Sequence, residues 1–176
     1  DTVAKKAIVD DILPASSDNF WSQTKGKLTK TQVVYEVANF VNEDPESMYR
    51  VVIGTDSQAK RIKGEPEIDF VSAIVVHRIG HGGRYFWNKE RQHKNYVLRD
   101  KIYTETLMSL QLAERVVPEL RKVIPASKYD LEIHIDVGEH GDTRDMIKEV
   151  VGMVTGSGYV AKTKPESFGA SYVADK

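Results

Sequence analysis

The stretch "IDFVSAIVVHRI", residues 68–79, constrains this chain most. Its apolar residues fall on both alternating faces, so as a strand it needs cover above and below, as a central sheet strand has. A shorter run of β-branched residues, Val51, Val52 and Ile53, marks a strand over 49–56 before it. After it, Gly80-His81-Gly82-Gly83 reads as a hairpin turn into a third strand, "RYFWN". Neighbouring strands with short connections pair as an antiparallel meander.

The pattern then changes period. An apolar stripe of Leu98, Ile102, Thr106, Leu110, Ala113, Val117 and Leu120 predicts a long helix over 97–123, kinked near its end by Pro118. "LEIHIDVG" alternates strictly, with Leu131, Ile133, Ile135 and Val137 on one face and Glu132, His134 and Asp136 on the other. It is the fourth strand. A second helix starts at a cap, Asp142 or Thr143, and runs to about Thr155; "GSGYVAK" is a short fifth strand and "SFGASYVADK" a final helix. Ahead of all this, Val33, Val34, Val37, Phe40 and Val41 recur at helical spacing after Thr29 or Thr31, so residues 1–45 are expected to form a helical segment packed on a main domain of 46–176. The fold class is α/β: a mixed sheet, three antiparallel strands plus parallel ones, with helices on its faces.

Composition narrows the function. With no cysteine, disulfides and thiolate zinc sites are excluded, and a cytoplasmic location is expected. The longest apolar runs are too short to span a bilayer, so no membrane partner is expected. A net charge of −1 excludes a surface coated in positive charge. Nucleic-acid binding would need a local basic patch, for which "NKERQHKNYVLRDK", Asn88–Lys101, is a candidate; a solvated loop entering a helix explains it equally.

The acids carry the chemistry. Asp56 ends the first strand and Asp136 the fourth, and this topology allows those strands to lie side by side. Glu105 borders the apolar stripe of the long helix, and Asp175 lies in the last one. Each has an ordinary reading alone: Asp56 caps a turn with Ser57, Glu105 pairs with Lys101, Asp136 precedes the turn at Gly138, and Asp175 is near a chain end. Brought together they would repel and raise one another's pKa unless a cation joined them. Carboxylate oxygens suit Mg²⁺ or Mn²⁺. Two such ions about 3.5–4 Å apart can activate water and stabilise the leaving oxygen of a phosphodiester.

The phrases "IGTDSQ", "SAIVVHRIGHGGRYFW", "IHIDVGEHGDTRDMIKEVVGMV" and "KPESFGASYVADK" resemble the YkuK-type family of bacterial RNase H-like domains over residues 25–176. That resemblance implies the RNase H-like fold and a metal-binding set of Asp56, Glu105, Asp136 and Asp175, with His140 or Asp142 as alternatives for the fourth position. It implies a nuclease acting on RNA, DNA or a hybrid; the alternative is an inactive nucleic-acid-binding or adaptor module on the same fold. Ser57 and Gln58 are candidate donors to a strand backbone, and Lys162 and Lys164 candidate phosphate contacts. "IDVGEHGDT" also resembles the phosphate turn of actin-like kinases, but those proteins close two related domains on the nucleotide, and this chain supplies one. The histidines show no zinc spacing, and His134 reads as a satisfied core residue or a neighbour of the acid site.

Overall fold

A computed structural model describes residues 18–167 of the chain. Strands β1 (Asn19–Ser22) and β2 (Gly26–Thr29) lead into helix α1 (Lys30–Glu43), followed by β3 (Tyr49–Ile62), β4 (Glu65–Arg78) and β5 (Gly83–Gln92). Helix α2 (Leu98–Val123), strand β6 (Tyr129–His134), helix α3 (Ile147–Gly156) and strand β7 (Val160–Lys162) complete the described elements. The seven strands form one sheet in the order β2-β1-β5-β4-β3-β6-β7. β3, β4 and β5 are the antiparallel meander, and β6 and β7 join it in parallel. This is the mixed α/β sheet that the sequence predicts.

The register sorts the side chains. Val51, Ile53, Ile74, Val76, Phe86 and Ile133 lie on one face of the sheet, and they form a single core with the buried residues of α1, α2 and α3. Helix α2 contributes Ile102, Leu110, Ala113, Val117 and Leu120 to it, at the spacing read from the sequence. On the opposite face Val71 and Ala73 cluster with Val75, Tyr85 and Trp87. Among the described residues no helix packs there.

Two expectations are corrected. Residues 19–29 are not helical: they form a hairpin on the far edge of the sheet, Trp21 pairing with Trp87 of β5. Phe20 and Ser22 are buried and their neighbours exposed, a period of two that the helical run after residue 30 overshadows. Gly26, at φ 71°, closes the turn in a conformation that costs glycine little. Helix α1 itself begins at a capping box, in which Gln32 N–H donates to Thr29 Oγ1 and Thr29 N–H to Gln32 Oε1.

Nor does Asp56 end its strand. β3 continues to Ile62 and turns through Lys63 and Gly64, both at positive φ (53° and 82°), into β4. Two left-handed residues suit the twist of a two-residue hairpin. The extension carries exposed polar residues, so no apolar alternation announces it.

Candidate functional site

Two aspartates reach one level of the sheet because β3 and β6 run parallel in register. Gly54 pairs with His134, the last paired residue of β6. Two residues further on, Asp56 and Asp136 are therefore laterally adjacent. The backbone around Asp136 is tied down although β6 has ended: Ile135 N–H donates to Lys162 O at 2.9 Å and Lys164 N–H to Val137 O at 2.7 Å. Gly138 lets Lys164 run past, since a Cβ at that position would stand 3.0 Å from Lys164 Cβ.

Glu105 arrives from α2, which is stitched to β3 along a seam. Ser109 Oγ donates to Thr55 Oγ1 at 2.9 Å, and Ser57 Oγ donates to Glu105 Oε2 at 2.6 Å. Four helical residues rise about 6 Å and two strand residues about 6.7 Å. Alternate residues of β3 thus meet every fourth residue of α2, with the two elements running in opposite directions. Thr55 Oγ1 also shares a hydrogen bond with Ser72 on β4 at 2.9 Å, which anchors the seam to the sheet.

These constraints converge on one group. An oxygen from each of Asp56, Glu105 and Asp136 lies within 4.8 Å of the other two. Glu105 is only 3% exposed. Burial, helped by the charges of Asp56 and Asp136, pushes its carboxyl up to about 8 against the opposing pull of Ser57 and Lys101. Its Oε1 is buried without a hydrogen-bond partner. Asp56 Oδ1 accepts from Ser57 N–H at 2.9 Å. Lys164 Nζ donates to Asp136 Oδ1 at 2.8 Å, and that bond raises the lysine pKa.

The donor set is all oxygen, which suits a hard divalent cation and not a soft one. Such an ion would give Glu105 Oε1 the partner it lacks and offset both the burial and the neighbouring negative charge that hold the proton on that carboxyl. The residues present therefore fit a divalent metal.

The other candidates fare differently. Asp175 lies outside the described residues. His140 and Asp142 are exposed in the connection after Gly138 and do not join the carboxylate group. Gln58 is exposed, and Lys162 lies beside His134 in the β6–β7 register. His134 is buried, with Nε2 3.0 Å from Glu132 Oε2, and Glu132 Oε1 is 3.3 Å from Arg50 Nε. Burial lowers the His134 pKa, so it is a core histidine with a partner. Sequence reasoning missed two roles. Ser57 holds Glu105, and Lys164 enters the acid cluster; the only signal for Lys164 was that it follows a strand paired with β6.

Comparison with known proteins agrees with this architecture. A family model described as ribonuclease H-like matches residues 32–176. The uncharacterized protein YkuK of Bacillus subtilis (strain 168) is 32% identical over 175 residues, covering 92% of this chain and 98% of that protein. No solved structure matches.

Proposed function

We propose, from the premise that this chain belongs to the YkuK-type ribonuclease H-like family, that it hydrolyses nucleic-acid phosphodiester bonds with a divalent cation. The observation that carries this reading is the approach of Asp56, Glu105 and Asp136 to within 4.8 Å. When bound, Mg²⁺ or Mn²⁺ supplies Lewis acidity that lowers the pKa of a water and offsets charge on the phosphate. Asp56 on β3, Asp136 just past the end of β6 and Glu105 on the helix would hold it, the Glu105 Oε2 oriented by the Ser57 hydroxyl. Asp175 is the proposed fourth carboxylate. The Lys164 ammonium, beside Asp136, is in reach of a phosphate oxygen brought to the same carboxylates. Cleavage of labelled RNA, DNA and hybrid duplex with Mg²⁺ or Mn²⁺ tests this. Asp56→Asn should lower the rate on the order of a hundredfold or more; product formed at the wild-type rate by that variant would sink the reading.

One observation favours a second reading. The Lys164–Asp136 ion pair offsets part of the cluster's charge without any metal, as a nucleic-acid-binding or adaptor module that has no catalysis would need. Salt-sensitive binding with no cleavage in any divalent ion distinguishes it.

A further inference from the structure

We infer that the cleft beside the carboxylates binds the phosphate backbone of a single nucleic-acid strand, next to the phosphate that reacts; this assignment of substrate rests on the nuclease reading above. The seam between α2 and β3 leads to it. Ser109 meets Thr55 and Glu105 meets Ser57, so the next step of the same ladder brings Lys101 opposite Ala59. A methyl group cannot bond an ammonium, and at this step the seam opens. The opening is a cleft of about 250 Å³, lined among others by Ala59, Lys60, Ile68, Lys94, Tyr96 and Lys101.

Its charge is positive in a chain whose net charge is −1. Glu67, the acid in the lining, and Asp69 beside it are matched by two cations: Lys60 Nζ stands 3.2 Å from Glu67 Oε2 and 3.3 Å from Asp69 Oδ2, and Arg91 Nε 3.4 Å from Glu67 Oε1 and 2.8 Å from Asp69 Oδ1. Lys94 and Lys101 are cations beyond that balance. Lys94 Nζ sits 4.6 Å from the centroid of the Tyr96 ring, a cation–π contact that holds the ammonium against the cleft wall. Tyr96 is fixed in turn, edge-on to Phe70 at 5.3 Å and with its hydroxyl donating to Gln92 Oε1. Each lysine offers three N–H donors and no acceptor, which selects an anion.

The position specifies which anion. Lys101 precedes Glu105 by one turn, about 6 Å along the helix, which is roughly twice the 3.4 Å axial spacing of stacked nucleotides and within one step of an extended strand. A phosphate at Lys94 and Lys101 thus belongs to the same strand as a phosphate at the carboxylates. Flanked by α2, the β3–β4 pair and residues 94–96, the cleft is smaller than the ~300–1,000 Å³ of ordinary ligand pockets and takes one backbone. Cations beside a fixed aromatic ring are the chemistry of single-strand grooves. The basic run Asn88–Lys101, which the carboxylate site leaves unexplained, thereby acquires a role.

The test is binding of fluorescent single-stranded RNA and DNA oligonucleotides at several salt concentrations, in Ca²⁺ so that turnover does not interfere. For the double variant Lys94→Ala, Lys101→Ala, the slope of log K against log[salt] should shrink by roughly 1.4, about 0.7 for each phosphate no longer neutralised, for every sequence alike. A control double variant, Lys122→Ala, Lys148→Ala, should keep the wild-type slope. An unchanged slope in the cleft variant, no oligonucleotide binding by the wild type, or an equal loss for blunt duplex would each overturn the inference. Cleavage by wild type and Asp56→Asn is measured separately. Loss of activity in Asp56→Asn beside an unchanged cleft slope refutes the cleft alone, whereas absence of cleavage in the wild type refutes the nuclease reading alone.

Discussion

Glu105 carries two opposed demands in one side chain. It is buried, one oxygen is held by Ser57 and the other has no partner, and its carboxyl is pushed up to about 8. Without a cation the folded chain is stabler with this group neutral. Glu105→Gln keeps an acceptor for Ser57 and removes the buried charge. At pH 8.5 without metal it should raise stability by about 1–3 kcal/mol, a fraction of what complete burial of an unpaired charge costs. The same variant should lose most of the rise in melting temperature that Mg²⁺ or Mn²⁺ gives the wild type. Thermal melts with and without metal check both halves. The sequence disclosed Glu105 through its position at the edge of an apolar stripe. It could not disclose Ser57 as its partner, because residues 48 apart meet only through the packing of helix on strand.

At the scale of elements, the seam of hydroxyl groups sets where α2 lies along β3. Thr55 is its anchor, bonded to both Ser72 and Ser109 in a buried setting. Thr55→Val keeps the shape and leaves two hydroxyls without that partner, so it should cost about 1–3 kcal/mol in urea unfolding. It should also weaken metal binding measured by calorimetry, although Thr55 is not one of the three carboxylates. Ser57→Ala, which frees Glu105 alone, should weaken the metal with a smaller loss of stability. Elements with a strong period were legible: α2 spans 98–123 against an expected 97–123, and the meander lies where the apolar runs are. Those with a faint period were not. The β1–β2 hairpin has four-residue strands, and the end of β3 is solvated, so neither carries enough apolar residues to show alternation. Strand β6 stops at His134, before Asp136, because the chain there bonds to residues 162 and 164 in single links and not in a continued ladder.

For the molecule as a whole, one buried and one half-buried acid set how stability responds to pH. Burial pushes Glu90 up to about 7 and Glu105 up to about 8, both above the ordinary 4.5. Between those limits the folded chain holds protons that the unfolded chain has released, so stability falls as pH rises from 4.5 to about 8. Asp69 works the other way. The Arg91 hydrogen bond lowers its pKa, so its contribution vanishes as pH drops through that depressed value. Urea midpoints without metal should therefore be higher near pH 5 than at pH 8.5, and Glu90→Gln should flatten the part of the decline below about pH 7. No helix among the described residues is long and apolar enough to cross a membrane. One strand joins the core, the acids and the cleft. β3 gives the core Val51 and Ile53, the seam Thr55 and Ser57, and the cleft Ala59, all by a single two-residue alternation, and it sets Asp56 between the two seam residues. Slipping that strand by one residue would turn its core set outward and swing its acid to the wrong side in the same stroke. Core and chemistry would be lost together by such a slip, and an added residue is best accommodated in the bend at Lys63-Gly64 itself, where the register of neither strand has to change.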